Sequence, residues 1–190
     1  MRFAPAFLPA FLVVLAVSCS GPSEPLKVYN DVPAFTLTAE DGSEFRSADK
    51  LAGKVWVADF IFTTCTGPCP RMSQQMKRVQ DRLEGEAGVR FVSFTVDPVN
   101  DTPPALAAYA RRYGADPARW TFLTGEMAAL HDLARNAFKL SNVDASLNHA
   151  TRFVLVDGAG RIRGYYGSSD PDVVGAIARD AKRLVAEPAS

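Results

Sequence analysis

The chain is short of the side chains that most often bind transition metals or carry thiol chemistry, with only three cysteines and two histidines among its 190 residues. It also has no net charge, because 21 basic residues balance 21 acidic ones, and no basic cluster stands out. This balance argues against nucleic acid as a partner. The sequence shows no internal repeat and no low-complexity block. Its length and composition therefore suit one globular domain with short flanking segments.

The N-terminal apolar run, "FAPAFLPAFLVVLAV", is shorter than the ~20 residues that a membrane-spanning helix needs, and prolines interrupt it. It follows a single charged residue, Arg2, and ends in "AVSC", as an export signal does. The small residue before Cys19 resembles the bacterial lipobox, although Ala16 stands where leucine is commoner. The resemblance implies cleavage before Cys19 and a diacylglyceryl group on its sulfur. An ordinary signal peptide cut nearby and an uncleaved anchor are the alternatives.

The lipoprotein interpretation divides the chain into a signal peptide at residues 1–18, a flexible tether at 19–32 and a folded domain at 33–186. Stable membrane attachment needs at least two acyl chains, and one lipid-modified cysteine can carry them. We therefore expect a protein that is lipid-anchored at the periplasmic face of a bacterial inner membrane. Only Cys65 and Cys69 then remain, and in an exported protein such a pair forms a disulfide or a metal site.

The order of the hydrophobic patterns predicts an α/β fold in which strands alternate with helices. A β-hairpin is expected around Asp41 and Gly42, and "KVWVADFIF" and "VRFVSFTVD" are typical of buried strands. Helices are expected after Cys69, over "DTPPALAAYARRYG", over "EMAALHDLARNAF" and near the C-terminus, with a second hairpin around residues 157–160. Paired cysteines at the first strand-to-helix turn resemble the thioredoxin fold, here with an N-terminal β-hairpin and a helical insertion.

The position of the cysteines suits thiol or metal chemistry. Pro68 fits the first turn of a helix, so both cysteines are expected at a helix N-terminus. There the unpaired amides and the helix dipole favour the thiolate over the thiol. A thiolate is both the nucleophile of disulfide exchange and a ligand for soft ions such as Cu(I). The three-residue spacing alone leaves a stabilising disulfide, a redox-active pair and a metal site open.

One of the two histidines is placed to join the cysteines. His131 lies in a predicted helix beside polar residues, and we interpret it as a surface or packing residue. His149, in "SLNHATRFVLVD", stands before a strand, in the loop that packs against the cysteine turn of a thioredoxin-like sheet. Thioredoxin-like reductases usually carry a proline there, and this chain has none between Pro117 and Pro171. Two thiolates and one imidazole suit copper in both its oxidation states.

Three motifs occur in order, "DFIFTTCTGPCPRM", "FVSFTVDPVNDTPPAL" and "NHATRFVLVDGAGRIRGYY". Together they resemble the Sco/SenC family of copper-binding, thioredoxin-like proteins over most of the chain. The resemblance implies that Cys65, Cys69 and His149 bind Cu(I) and Cu(II), and that the two cysteines can form a disulfide. It implies delivery of copper to the binuclear copper site of cytochrome c oxidase subunit II, with another periplasmic copper chaperone or a thiol reductase as a further partner. Thr66 stands where many members have proline, which we expect to change loop stiffness more than ligand identity.

Two enzymatic alternatives stay open. The same thiols suit a periplasmic thiol-disulfide reductase that maintains the cysteines of subunit II, and the two roles can coexist because the thiols must be reduced before copper binds. A peroxidase of the peroxiredoxin type needs a proline and a threonine upstream of its reactive cysteine. The nearest positions here hold Ala58 and Phe62, which disfavours that activity.

Other side chains near the cysteines have structural interpretations beside functional ones. Asp97 and Asp101, in "TVDPVNDTP", are expected to build a turn and a helix cap, the cap being Asp101 or Thr102. Tuning of the metal site or contact with the partner is the alternative. Asp59 lies in an apolar strand, where a carboxylate must find partners or be neutral. It is expected either to assist proton transfer at the cysteines or to anchor the core. The helical spacing of Met72 and Met76 favours core packing over copper ligation.

Overall fold

The computed structural model describes residues 24–140 and 151–187. The described residues contain seven strands: β1 (Thr36–Ala39), β2 (Glu44–Arg46), β3 (Val55–Ile61), β4 (Val89–Thr95), β5 (Trp120–Thr124), β6 (Arg152–Val156) and β7 (Ile162–Gly167). They also contain the helices α1 (Ser47–Lys50), α2 (Pro68–Arg82), α3 (Pro103–Arg112), α4 (Met127–Asp132) and α5 (Val173–Ala186), with a π-helix (Leu133–Ala137) directly after α4. The predicted lipidation site Cys19 and the predicted ligand His149 lie outside the described residues.

The seven strands form one sheet in the order β2-β1-β5-β4-β3-β6-β7. Its centre is parallel, because β4 pairs in parallel with both β3 and β5, whereas β1 and β6 join antiparallel on either side. Val55 lies opposite Val89 and Ile61 opposite Thr95, so β3 and β4 end at the same edge of the sheet. The predicted α/β fold and both predicted hairpins are confirmed.

Helices cover both faces of this sheet and divide the core into two layers. We call one side the α2 face; there Met72 of α2, Leu106 of α3 and Ile177 of α5 pack on the sheet with Cys69. We call the other side the α4 face; there Leu130 packs with residues of the π-helix and with Phe138. All seven residues of β3 are buried, as expected for a strand between two helical layers.

The helix predicted over residues 126–138 is wider at its end than an ordinary α-helix. It changes into the π-helix after Asp132, and Phe138 N–H donates to the Leu133 carbonyl at 2.9 Å. The extra residue in this turn brings Phe138 onto Phe60, with ring centroids 5.3 Å apart and a nearly perpendicular packing. Apolar periodicity predicts the helix but does not reveal this local change, because the pattern differs by only one residue.

The segment before β1 is held against β7. Tyr29 N–H donates to the Ile162 carbonyl at 2.9 Å, and the Arg163 guanidinium donates to the Leu26 carbonyl at 2.8 Å. These contacts lie within the part of the expected tether that the structure describes. Among residues 24–140 and 151–187, no helix has the length and apolar character required to cross a membrane.

Candidate functional site

Both cysteines lie just beyond the end of β3, at the edge where β4 also ends. Cys65 is half-buried in the connecting turn, and its N–H donates to the Phe62 carbonyl at 3.2 Å. Cys69 is the second residue of α2 and has no exposed surface. Pro68 occupies the first helical position, where its missing N–H costs no hydrogen bond. The strand-to-helix placement predicted from the sequence is therefore confirmed.

The two thiols are not joined in a disulfide, and they are hydrogen-bonded to each other. Burial raises the pKa of the Cys69 thiol well above its usual range, and the contact with Cys65 raises this pKa further. A hydrogen bond to the Phe62 backbone acts in the opposite direction but does not offset the burial. The prediction that the helix N-terminus favours a thiolate is thus wrong for Cys69, because desolvation of the charged form outweighs the helix dipole.

The turn between the cysteines has a glycine beside the Cys65 sulfur. Gly67 occupies the N-cap position of α2, and a Cβ there would lie 4.0 Å from the Cys65 sulfur. Any other residue at this position would place its Cβ in van der Waals contact with the Cys65 sulfur. Cys65 is thus half-buried beside a residue without a side chain, whereas Cys69 lies inside the core.

A buried carboxylate fixes the strand exit that presents Cys65. Asp101 has no exposed surface, and both of its oxygens accept the backbone N–H of Thr63 at 3.2 Å. The hydroxyls of Thr63 and Thr95 also donate to it. Of the two cap candidates for α3, Thr102 and not Asp101 is the N-cap residue. The Asp101 carboxylate binds the threonines instead. Sequence reasoning missed Thr63 and Thr95, since no local pattern connects them to Asp101.

The predicted turn at Asp97 is confirmed. Its carbonyl accepts the N–H of Asp101 at 2.9 Å, and its carboxylate accepts the Asn100 side-chain amide at 2.8 Å. Val99 stands at the tip of this turn with 77% of its surface exposed. The Asp97 side chain therefore stabilises its own loop, which agrees with the structural interpretation of the sequence.

Helix α2 is tied to the chain that enters β6. The Gln75 side-chain amide donates to the Ser168 carbonyl at 3.0 Å, and the Arg71 guanidinium donates to the Ser168 hydroxyl at 3.2 Å. Ser168 N–H in turn donates to the Thr151 carbonyl at 2.8 Å. Because β6 runs antiparallel beside β3, with Val154 opposite Ala58, its first residues lie at the edge where the cysteines stand. No pattern in the sequence predicts these side-chain contacts.

Within residues 24–140 and 151–187, no group of three or more His, Cys, Asp or Glu side chains is arranged to hold a metal ion. The described part of the site consists of the two sulfurs, and the predicted third ligand, His149, belongs to residues 141–150. His131 is on α4, whose Leu130 packs on the α4 face, whereas Cys69 packs on the α2 face. His131 is therefore separated from the cysteine pair by the sheet, in agreement with its interpretation as a packing residue.

The comparisons with known proteins agree with this geometry. The family described as SCO1/SenC matches residues 24–186. A relative from Stutzerimonas stutzeri, described as a putative copper-binding protein, is 31% identical over 143 residues, covering 70% of this chain and 68% of its own length. The crystal structure of a SCO1/SenC family lipoprotein from Bacillus anthracis is 34% identical, with a TM-score of 0.76, covering 85% of this chain and 99% of that one. BsSco, described as having a disulfide switch and belonging to the Sco family of cytochrome c oxidase assembly proteins, is 32% identical, with a TM-score of 0.74, covering 86% of this chain and 97% of its own.

Proposed function

The chain belongs to the SCO1/SenC family, and from this membership we propose that it binds copper and delivers it to the binuclear copper site of cytochrome c oxidase subunit II. The observation that carries the proposal is the pair of reduced, hydrogen-bonded thiols of Cys65 and Cys69 at the exit of the central strand. Two sulfur ligands from one short loop match the low coordination number and soft character of Cu(I). The Stutzerimonas relative is itself described as copper-binding.

We propose His149 as the third ligand. The support is its place in the sequence, three residues before Arg152, where β6 begins. The start of β6 lies at the sheet edge that carries Cys65 and Cys69. The Ser168 contacts hold the chain at Thr151 to the helix that carries Cys69. An imidazole added to two sulfurs would allow Cu(II) as well as Cu(I) to bind.

We further propose that the protein is anchored to the periplasmic face of the inner membrane through a lipid on Cys19. The related Bacillus anthracis protein is described as a lipoprotein, and the sequence around Cys19 resembles a lipobox. The backbone in the second half of the predicted tether is held to the domain by the Arg163 bond to the Leu26 carbonyl and by an Arg183 bond to the Glu24 carbonyl. A short tether from Glu24 would keep the copper site close to a membrane-bound oxidase subunit, and to a second copper chaperone or a thiol reductase in the same compartment.

Anaerobic competition with a Cu(I) chelator tests the copper site. We expect the reduced protein to hold one Cu(I) tightly and either Cys65→Ser or Cys69→Ser to abolish that binding. His149→Ala should weaken Cu(II) binding by at least about tenfold, while His131→Ala, the change at the only other histidine, should not. Unchanged Cu(II) binding in His149→Ala would remove the third ligand, and failure of the wild-type protein to retain Cu(I) would overturn the function. Transfer of the bound copper to the soluble domain of subunit II tests delivery.

A thiol-disulfide reductase is the second candidate, favoured by the different exposure of the two sulfurs. Half-buried Cys65 is accessible to a client disulfide, and buried Cys69 is hydrogen-bonded to it and positioned to resolve the intermediate. The Cys65 thiolate would attack one client sulfur and release the other as a thiol. The Cys69 sulfur would then displace the second client thiol, so that the protein is oxidised to a disulfide as the client disulfide is reduced. The description of BsSco as having a disulfide switch supports a redox role in the family.

Reduction of an oxidised subunit II peptide by copper-free protein separates these candidates. A reductase should turn the peptide over rapidly, and its Cys69→Ser variant should accumulate a mixed disulfide through Cys65. A reaction no faster than that of a simple dithiol would leave copper delivery as the function of the pair.

A further inference from the structure

The outer surface formed by α2 and α3 carries an excess of positive charge. Together these two helices contain six cationic side chains and one carboxylate, that of Asp81. Each cation of the neighbouring α5 has an acidic partner instead: Arg179 pairs with Asp172, Lys182 with Glu86 and Arg183 with Asp180. Because the whole chain has equal numbers of basic and acidic residues, the excess is a local property of this surface. Two separate segments supply it, so no basic run in the sequence reveals it.

Three of these cations have no acidic partner. Arg78, Arg111 and Arg112 are exposed, and no carboxylate of the described residues forms an ion pair with any of them. The last turn of α3 holds Arg111 and Arg112, where the helix dipole favours a cation. Arg78 lies before the last turn of α2, where the dipole stabilises a cation much less. The guanidinium of Arg78 is therefore available to a carboxylate of another molecule.

These charges border a groove of about 500 Å³ between α2 and α3. The residues that line it are Pro70, Gln74, Lys77, Arg78, Arg112 and Tyr113. We call it the basic groove, because three of these residues are cationic and none is acidic. It begins at Pro70, the residue directly after Cys69. A molecule that fills the basic groove therefore lies beside the cysteine loop.

Internal contacts hold the two walls of the basic groove in place. The hydroxyls of Ser73 and Tyr109 are hydrogen-bonded at 2.9 Å and join α2 to α3. The Tyr109 ring packs on that of Tyr113, with centroids 4.6 Å apart. Beyond the end of α3, the Asp116 N–H donates to the Gln80 side-chain oxygen at 3.0 Å. Since the backbone of the groove is set before a partner arrives, binding loses little conformational entropy there.

We propose that the basic groove docks an acidic surface of the protein that exchanges copper with Cys65 and Cys69, an inference that rests on the proposed copper-carrying function. Arginine forms paired hydrogen bonds with a carboxylate, so Arg78 and Arg112 orient the acidic side chains of the partner. Attraction between opposite surface charges also speeds the encounter of two proteins. Because the basic groove starts beside the cysteine loop, a partner that fills it brings its own copper ligands towards the half-buried sulfur of Cys65.

The position of the N-terminal segment argues against an anionic membrane as the occupant. The carbonyls of Leu26 and Glu24 are bonded to Arg163 of β7 and to Arg183 of α5. Helix α5 contacts β3 and β7, whereas α3 contacts β5 on the other side of α2. The chain that leads to the predicted lipid anchor thus leaves the domain away from the basic groove. A flat bilayer on the basic groove would also cover the cysteine loop, from which copper must leave.

Association of the full-length, copper-loaded protein with the soluble domain of subunit II tests the basic groove. The protein is held in vesicles of phosphatidylcholine, and the rates of association and of copper transfer are measured anaerobically at low and at high salt. The wild-type association rate should fall as the salt concentration rises. The variant with Arg78→Glu and Arg112→Glu should associate at least about tenfold more slowly at low salt, with a smaller difference at high salt. It should still hold one Cu(I) in chelator competition, because neither arginine is a copper ligand.

The matched control carries Lys50→Glu and Lys54→Glu. These residues flank Leu51, which packs on the α4 face, so the control changes the net charge of the protein equally but away from the basic groove. Its association rate should stay near that of the wild-type protein. If the charge-reversed groove variant does not fold, Arg78→Gln with Arg112→Gln removes the two charges without reversing them. That variant should associate more slowly than the wild-type protein and with a weaker dependence on salt.

The outcomes separate the docking surface from the proposed function. Equal association rates in the groove variant and the control, or a wild-type rate independent of salt, would overturn the proposal and leave copper delivery intact. Association without copper transfer would overturn delivery but not the docking surface, and a wild-type protein that does neither would overturn both. Hydrogen exchange in phosphatidylglycerol vesicles tests the membrane. Protection of α2 and α3 by this anionic lipid in the wild-type protein alone, together with equal association rates, would assign the basic groove to the membrane instead.

Discussion

The carboxylate of Asp101 accepts hydrogen bonds from both the backbone amide and the hydroxyl of Thr63, two residues before Cys65. This relationship joins the loop after β4 to the exit of β3, so the position of the more accessible cysteine depends on a side chain from another part of the chain. Asp101 therefore holds the cysteine loop in place, and unfolding of the copper-free protein tests this role.

Replacing Asp101 with asparagine should destabilise the protein and loosen the cysteine loop. The neutral amide cannot accept all the hydrogen bonds from Thr63 and Thr95, and each bond to a charged group contributes about 1.5–3 kcal/mol. We expect a loss of roughly 2–3 kcal/mol in the free energy of unfolding, measured with urea, and weaker Cu(I) binding in chelator competition. Asp97→Asn is the control. Among the described residues the Asp97 carboxylate accepts its hydrogen bond from the exposed side chain of Asn100, so this change should cost less stability. Equal effects of the two changes would contradict the assigned role of Asp101.

The sequence predicts elements that depend on local pattern. The apolar spacing of Met72 and Met76 predicts α2, and the largely apolar run "KVWVADFIF" predicts the central strand. The interpretation of both methionines as core residues agrees with their complete burial. Such predictions succeed because secondary structure imposes its own periodicity on residues that are near one another in the chain.

Features that depend on contacts between distant segments were not predictable. The Asp101 carboxylate is hydrogen-bonded to Thr63, which is 38 positions away in the sequence. No local spacing of residues predicts this contact. The state of Cys69 was predicted wrongly for the same reason. The helix N-terminus is visible in the sequence, but the burial that raises the Cys69 pKa arises only when helices from three parts of the chain pack over one face of the sheet.

Replacing Met72 with leucine tests whether this methionine packs in the core or binds copper. Met72→Leu conserves volume and hydrophobicity, so it should change the free energy of unfolding by less than about 1.5 kcal/mol. It removes the only soft donor atom of that side chain. Cu(I) affinity should therefore equal that of the wild-type protein in chelator competition. A marked loss of affinity, with stability unchanged, would show that the methionine sulfur reaches the metal.

Asp59→Asn should stabilise the protein at alkaline pH. Burial raises the pKa of Asp59 from 3.8 to about 7, so the folded protein binds more protons than the unfolded chain between these values, and wild-type stability falls as the pH rises through that window. The asparagine variant lacks this dependence. Between about pH 4 and about pH 8, the unfolding free energy of the wild-type protein should fall relative to that of the variant by on the order of 3–4 kcal/mol. Urea unfolding of copper-free protein measures it, and parallel pH profiles would show that the Asp59 pKa is not raised.

Arg163 connects the N-terminal segment to the body of the domain. Its side chain is 4% exposed and donates to Asp157 at 2.9 Å and to Glu187 at 3.0 Å, in addition to its bond to the Leu26 carbonyl. Arg163→Ala leaves the buried Asp157 carboxylate with one fewer cation, although Arg161 still pairs with it at 2.9 Å. Breaking such a buried pair costs about 3–5 kcal/mol, so we expect a large loss of stability by urea unfolding and faster proteolysis of the segment around Leu26.

The matched control for this change is Arg179→Ala. Arg179 forms an ion pair with Asp172 at 2.7 Å, but both side chains are largely exposed, and exposed pairs contribute about 0–1 kcal/mol. The control should therefore unfold almost as the wild-type protein does and leave the segment near Leu26 resistant to protease. If Arg163→Ala behaves like the control, then the remaining bonds of Asp157 are sufficient, and the hydrogen bond to Leu26 does not hold the start of the domain in place.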